Sequence, residues 1–200
     1  PTHQAPLIME ALCMARAQGL TVPFVYNCGG YENPDVIRLL DGMVDIYLPD
    51  FKYGLEEDGR LFSDAAQYPK YAMASIQEMV RQVGDDLKLE NGVAVSGIII
   101  RHLVLPGRLE NSMAVLKLLK EQLSTNVPVS LMSQYTPISA VKSHPLLGRR
   151  ITRKEYKHIL DYAINLGFEN LFIQQVSDNA MNPDFDSKTP FEKSGNTDEQ

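Results

Sequence analysis

The chain has 200 residues, of which 44% are hydrophobic and 22% charged, and its formal net charge is −6. This composition is typical of one globular domain that can bury a core, and the acidic balance argues against a nucleic-acid partner. Every apolar run is shorter than the roughly 18 residues of a membrane-spanning helix, so we predict no membrane association. Two cysteines and the lack of a secretory signal favour the cytoplasm.

Hydrophobic periodicity and turn residues predict helices that alternate with short strands. The predicted helices span about 5–18, 34–41, 68–83, 112–123 and 152–166, and the predicted strands about 22–26, 44–53, 97–105, 127–132 and 171–173. Asn91-Gly92 predicts a hairpin between 87–90 and 93–95. Polar loops are predicted at 54–67 and 136–148. Cys13 falls within the apolar pattern of the first helix, which favours a place in the core.

Several residues that commonly begin or end helices support these boundaries. Asn33 followed by Pro34 predicts one helix start, and Thr152 with Glu155 has the spacing of a capping box. Gly84 and Gly167 are placed to end the helices that precede them.

The stretch VDIYLPDFKY at 44–53 is the most informative part of the chain. An apolar run ends there at Pro49 and is followed by Asp50 and Lys52. Residues at i and i+2 of an extended segment point to the same face, so these two side chains should act together. The alternative is a surface ion pair of little energetic value.

Polar residues also end the other predicted strands. They are Asn27, followed by Cys28, Gly29 and Gly30, then Arg101 with His102, then Gln134, and finally Gln174. The paired glycines allow either a tight turn or a close approach of a ligand. In a parallel β/α barrel such strand ends converge on one rim. Five strands are too few to close a barrel, so we predict a partial parallel β/α barrel that either is open or lacks its first strands.

Arg101 and His102 lie within the most hydrophobic predicted strand and point in opposite directions. A buried arginine needs a partner, so we expect Arg101 to bind an anionic ligand or a neighbouring carboxylate. For His102 we expect a hydrogen-bonded packing role.

The domain is predicted to cover residues 1–176, and the polar segment 177–200 is predicted to be a disordered tail. The sequence starts at Pro1 rather than at Met, and we expect further residues to precede it.

Four blocks of the sequence together resemble a known family. They are VPFVYNCGGYENPDVIRLLDGMVDIYLPDFKY, EMVRQVG, SGIIIRHLVLPG and VSLMSQYTP. In these blocks the chain resembles radical S-adenosylmethionine (radical SAM) enzymes, specifically the pyruvate formate-lyase activating enzyme-like iron–sulfur proteins. The resemblance covers residues 1 to about 175.

The resemblance implies that a 4Fe-4S cluster reduces S-adenosylmethionine and that the resulting 5′-deoxyadenosyl radical abstracts hydrogen from a substrate. By motif position it implies the following cofactor-binding residues: Asn27, Cys28, Gly29, Gly30, Asp50, Lys52, Arg101 and Gln134. Lys52 or Arg101 would hold the carboxylate and Gln134 the ribose. Asp50 and Asn27 would bind the amino group, the ribose or a monovalent cation. The family also implies an electron donor such as flavodoxin or ferredoxin, and a substrate that can be a glycine of a partner protein.

One departure bears on activity, because the family binds its cluster through a CxxxCxxC motif. Cys13 and Cys28 do not form such a motif. We therefore expect the cluster cysteines upstream of Pro1, no metal ligands in this chain, and no catalysis by it in isolation. Two other interpretations stay open: a barrel lyase or aldolase in which Lys52 forms a Schiff base, and a binding fragment without catalytic activity.

Overall fold

The computed structural model of the protein describes residues 2–176. Its α-helices are α1 Ala5–Ala17, α2 Pro34–Leu39, α3 Glu56–Ser63, α4 Tyr68–Val83, α5 Leu109–Gln122 and α6 Arg153–Leu166. Its strands are β1 Val25–Cys28, β2 Ile46–Pro49, β3 Leu87–Glu90, β4 Val93–Ile98, β5 Ile100–Leu103, β6 Val129–Met132 and β7 Leu171–Ile173. The predicted tail at 177–200 lies outside the described residues.

The described strands form two small sheets in which parallel pairing dominates. One sheet has the order β1-β2-β4-β3, and the other has the order β5-β6-β7. All neighbouring pairs are parallel except β3 and β4, which form the predicted antiparallel hairpin. The alternation of helices and strands therefore predicted the parallel pairing correctly.

The prediction of an open, partial β/α barrel is wrong. The strands of residues 2–176 form two sheets, of four and three strands, and no closed barrel. The sheets divide at Ile99, because the backbone amides of two successive residues donate to different parts of the chain. Ile99 N–H donates to Tyr47 O in β2, whereas Ile100 N–H donates to Pro128 O, just before β6. Strand patterning predicts which segments pair in parallel, but closure depends on strand tilt and stagger, which the pattern does not specify.

Two local predictions also need correction. The segment 54–67, predicted as a loop, contains helix α3. This helix has no apolar stripe, and its first turn is instead acidic, with Glu56, Glu57 and Asp58. Cys13, predicted to lie in the core, is exposed. In α1 the buried residues are Ala5 and Leu12, so most of this apolar helix lies outside the core.

The four helix-capping positions predicted at Asn33, Gly84, Thr152 and Gly167 are confirmed, whereas α5 begins at Leu109, before the predicted start at 112. The Asn33 side chain accepts a hydrogen bond from Asp35 N–H at the start of α2, and Thr152 and Glu155 form a capping box at the start of α6. Behind the sheets lies one hydrophobic core that includes Tyr47 and Ile98 as well as apolar residues of α4, α5 and α6. Among residues 2–176, we find no helix that has both the length and the apolar character needed to cross a bilayer.

Candidate functional site

A cleft of about 420 Å³ opens where β2, β5 and β6 end. Its lining comprises Asp50, Lys52, Tyr53, Arg101, Leu103, Leu105, Met132, Gln134 and Tyr135. The three strands are neighbours because β5 pairs with β6 in parallel, and Asp50 forms an isolated parallel bridge with Arg101 across the division between the sheets. Four of the predicted site residues, Asp50, Lys52, Arg101 and Gln134, therefore meet at one cleft.

The polar side of the cleft is organised by an ion pair. Arg101 Nε donates to Asp50 Oδ1 at 2.8 Å, and Arg101 Nη2 lies 2.6 Å from the same oxygen. The Arg101 side chain is 29% exposed and that of Asp50 is 18% exposed, so water screens this pair only in part. The prediction that Arg101 meets a neighbouring carboxylate is confirmed.

Lys52 adds a second cation to the same carboxylate. Its Nζ lies 4.0 Å from Asp50 Oδ2, and its side chain is 49% exposed. Two cations and one carboxylate leave a net charge of +1 among these three groups. Because Arg101 and Lys52 are both directed at Asp50 from the cleft wall, an anionic group entering the cleft would find donors that are already in place.

The other side of the cleft is apolar and aromatic. Leu103, Leu105 and Met132 form this wall together with Tyr53 and Tyr135. The Tyr135 hydroxyl donates to Leu147 O at 2.8 Å, which ties the loop after β6 to the wall. Gln134 is exposed at the rim, where its Nε2 donates to Met132 Sδ at 3.7 Å, a weak acceptor that a ligand oxygen can replace. The cleft thus suits a ligand with one charged end and one flat or apolar end.

The sequence predicted the polar side of this cleft but missed its apolar and aromatic side. A usable signal was present for three of these residues. Leu103 and Leu105 follow Arg101 at i+2 and i+4, and Met132 precedes Gln134 by two positions. Side chains two residues apart on a strand share a face, so the polar residues could have identified their apolar neighbours.

The remaining predicted site residues do not line the described cleft. Asn27 is exposed on β1, and Cys28 is buried in the core, where burial raises the pKa of its thiol to about 12. Gly29 and Gly30 follow β1. Gly30 is pressed against the strand end that carries Asp50, because a Cβ on Gly30 would lie 1.8 Å from Asp50 O. Its contribution to the cleft is therefore indirect.

His102 occupies the packing position predicted for it. It is fully buried, with Nδ1 2.7 Å from Phe51 O and Nε2 2.8 Å from Ser112 Oγ. A carbonyl oxygen only accepts, so Nδ1 carries the proton and Nε2 accepts from the Ser112 hydroxyl. Burial lowers the pKa of His102 to about 4, which keeps the ring neutral at pH 7.

The chain does not fit an iron–sulfur cluster within its described part. No group of three or more His, Cys, Asp or Glu side chains among residues 2–176 is arranged to hold a metal. Cys13 is exposed on α1, whereas Cys28 is buried, and the raised pKa of Cys28 opposes the thiolate that iron requires. The donor set of the cleft does fit the groups of S-adenosylmethionine: a carboxylate, an amino group, ribose hydroxyls and an adenine ring.

Comparison with known proteins identifies a distant and longer relative. The chain matches no protein-family model. It is 30% identical over 145 residues to an uncharacterized protein of Methanocaldococcus jannaschii, and the match covers 71% of this chain. The same match covers 38% of the relative, so the chain spans well under half of that protein's length.

Proposed function

We propose that this chain is part of a radical S-adenosylmethionine enzyme and that the cleft between the ends of β2, β5 and β6 binds S-adenosylmethionine. The observation that carries the proposal is the meeting of Asp50, Lys52, Arg101 and Gln134 at one cleft, opposite an apolar and aromatic wall. These residues come from the blocks that carry the family resemblance. Their chemistry also matches a ligand that is zwitterionic at one end and aromatic at the other.

The roles of the polar residues follow from their charges. Lys52 and Arg101 bind the carboxylate of the methionyl group, since both are cations at the mouth of the cleft. Asp50 accepts from the amino group while it remains paired with Arg101. The Gln134 amide lies at the rim, where it can donate to or accept from a ribose hydroxyl. Tyr53 and Tyr135 offer ring faces for the adenine and exclude water from that side.

The cluster belongs to the proposal only as a feature of a longer polypeptide. When bound, cluster and S-adenosylmethionine supply the 5′-deoxyadenosyl radical that abstracts hydrogen from the substrate. The two cysteines of this chain do not fit that cluster, so we assign its ligands to residues upstream of Pro1. The matched relative is longer than this chain, which is compatible with a longer polypeptide. We further propose that the full protein is cytoplasmic and receives its electron from a flavodoxin- or ferredoxin-like protein. Its proposed substrate is a glycine of a partner protein.

The Schiff-base alternative finds no support in the geometry of Lys52. A Schiff-base lysine has to lose its proton, which an apolar environment favours. Lys52 is instead half-exposed, and its Nζ lies 4.0 Å from an Asp50 carboxylate oxygen, so it does not sit in an apolar pocket.

The proposal is tested first on the gene. Three cysteines with CxxxCxxC spacing are expected upstream of the codon for Pro1. The full-length protein should then assemble a 4Fe-4S cluster under anaerobic reconstitution and release 5′-deoxyadenosine when a reductant and S-adenosylmethionine are added. Failure to form either the cluster absorbance or 5′-deoxyadenosine refutes the enzyme assignment.

The cleft itself is tested with a matched pair of lysine variants. Without the cluster, this chain should bind S-adenosylmethionine weakly, with a dissociation constant measurable by chemical-shift titration. Lys52→Met should weaken binding by about tenfold, the loss expected for one charge-assisted contact. Lys157→Met is the control, because Lys157 also pairs with an aspartate, Asp161, but on the exposed face of α6. Equal affinities of the two variants would argue against the cleft as the binding site.

A further inference from the structure

The segment 50–55 carries three of the cleft residues, Asp50, Lys52 and Tyr53, but belongs to no regular element. It follows β2, which ends at Pro49, and precedes α3, which starts at Glu56. A buried backbone outside helices and strands must find partners for its N–H and C=O groups elsewhere. The partners of this segment are therefore informative about how Asp50 and Lys52 are held.

Three buried side chains provide most of these partners. The Tyr68 hydroxyl accepts from Lys52 N–H at 2.9 Å and lies 3.4 Å from Asp50 O. His102 Nδ1 donates to Phe51 O at 2.7 Å. The Asn111 amide donates to Lys52 O at 2.9 Å.

Asn111 also accounts for the exit of the segment toward α3. Its Oδ1 accepts from Gly54 N–H at 2.9 Å and lies 3.4 Å from the N–H of Leu55. One amide side chain thus bridges backbone groups on both sides of Tyr53. Phe51 N–H is satisfied separately by Arg101 O at 2.8 Å.

These three side chains are themselves fixed and lie behind the cleft. His102 and Asn111 are 0% exposed and Tyr68 is 2% exposed. His102 is held from its other nitrogen by the buried Ser112 hydroxyl. Tyr68, His102 and Asn111 are absent from the cleft lining, and their hydrogen bonds reach it through the backbone of 50–54. The Tyr68 ring also packs edge-on against the Tyr53 ring, with centroids 5.1 Å apart, a contact that Tyr68→Phe retains. Burying three polar side chains is costly unless each is fully hydrogen-bonded, as it is here.

The consequence is a fixed alternation of side chains. Phe51 points into the core with 0% exposure, and Asp50 and Lys52, its neighbours on either side, point into the cleft. Rotation of the peptide unit between Phe51 and Lys52 would break the hydrogen bonds to His102 and Tyr68. Rotation of the next peptide unit would break the hydrogen bond from Asn111 to Lys52 O. The segment therefore keeps the separation of Asp50 and Lys52 before any ligand arrives, which lowers the entropic cost of binding.

We propose that Tyr68, His102 and Asn111 are positioning residues, which set the affinity of the cleft for its ligand by fixing the backbone of 50–54. The part of this inference that concerns affinity rests on the proposed binding of S-adenosylmethionine. The part that concerns the backbone is independent of it.

The experiment compares the unchanged chain with Tyr68→Phe and a control, Tyr47→Phe. Both tyrosines are buried and each uses its hydroxyl in a hydrogen bond, but Tyr47 donates to Gln82 Oε1 at 2.6 Å, away from the segment. Amide hydrogen exchange is followed residue by residue, and S-adenosylmethionine is titrated while chemical shifts are recorded. Asn111→Ala is a second variant, which tests the same segment if Tyr68→Phe does not fold.

Tyr68→Phe should accelerate exchange of the Lys52 amide by about tenfold or more, because this N–H loses its acceptor. It should also weaken S-adenosylmethionine binding by about threefold to tenfold, whereas Tyr47→Phe should leave both quantities unchanged. Asn111→Ala should have the same effect on affinity and should accelerate exchange at Gly54.

Two results overturn the inference. One is unchanged exchange at Lys52 in Tyr68→Phe. The other is an affinity of Tyr68→Phe equal to that of Tyr47→Phe, which would leave Tyr68 a merely structural role. If the unchanged chain binds no S-adenosylmethionine, the proposed function fails instead, and the exchange rates still decide whether these residues fix the segment.

Discussion

Gly30 provides the sharpest test of how the cleft is assembled, because the chain contains a natural control for it. Gly30 and Gly42 both have left-handed backbones, with φ of +78° and +74°. A Cβ on Gly30 would lie 1.8 Å from Asp50 O and 2.9 Å from Asp50 C, whereas a Cβ on Gly42 would meet none of the described atoms within 4 Å. Alanine at either position has the same backbone strain, but only Gly30→Ala has the clash.

The magnitudes follow from these two contributions. A left-handed alanine costs about 1–2 kcal/mol, and reduced freedom of the unfolded chain returns about 0.4–1 kcal/mol, so Gly42→Ala should destabilise by about 1 kcal/mol. Gly30→Ala should lose about a further 1–3 kcal/mol through overpacking against backbone, which cannot rotate away as a side chain can. The displaced backbone is that of Asp50, so ligand affinity should fall as well.

Urea unfolding at pH 7 measures both free energies under the same conditions. Gly30 O also accepts a hydrogen bond from the buried Ser75 hydroxyl at 2.5 Å, so the loop has little room to retreat. The close approach of Gly30 to Asp50 is refuted if the two variants lose the same free energy of unfolding within about 0.5 kcal/mol, the usual range for surface substitutions.

Three further outcomes are expected. Arg101→Met should destabilise the fold by about 1–3 kcal/mol in urea unfolding, because it leaves a largely buried carboxylate with only the half-exposed Lys52 ammonium, 4.0 Å away, as its partner, and Asp50→Asn in the same chain should recover part of that loss. Burial lowers the pKa of His102 from 6.5 to about 4, so the unfolded chain takes up the proton first. The contribution of neutral His102 to the free energy of unfolding is fully present above about pH 6.5 and is lost as the pH falls toward 4. His102→Asn should remove that part of the pH dependence of the free energy of unfolding. A thiol reagent should label exposed Cys13 rapidly in the native protein and Cys28 only after unfolding, and labelling of both at equal rates would contradict the burial of Cys28.

Features encoded in a few consecutive residues could be predicted from the sequence. The Asn91-Gly92 hairpin and the capping box of Thr152 and Glu155 each depend on local backbone and side-chain chemistry, and both are present. Helix α3 was missed because its acidic first turn has no apolar stripe. Part of its anchoring is tertiary, since Asp58 is buried in an ion pair with Arg108.

Burial and sheet closure were not predictable in the same way. Cys13 follows the apolar pattern of α1, but a helix face is buried only if another element covers it, and the pattern does not name that element. The division of the sheets at Ile99 likewise depends on which neighbour each backbone amide finds. The cleft was partly predictable because Asp50 and Lys52 share a face by simple alternation, whereas Tyr135 reaches it through a loop contact with Leu147.

The charge of the cleft supports anion binding on grounds separate from the family resemblance. Asp50 has two cationic neighbours, and pairing with one of them already neutralises it. The second cation is redundant for the fold, because Lys52 is half-exposed and its nitrogen is 4.0 Å from the carboxylate, a distance at which an exposed pair contributes little. Three buried side chains fix the backbone of Lys52, but its ammonium group contributes little to stability. That ammonium group is therefore available to a ligand. Lys52→Met should therefore cost binding while leaving the free energy of unfolding within about 0.5 kcal/mol of the unchanged chain, as for other surface substitutions. A loss of stability as large as that of Arg101→Met would assign Lys52 to the fold instead.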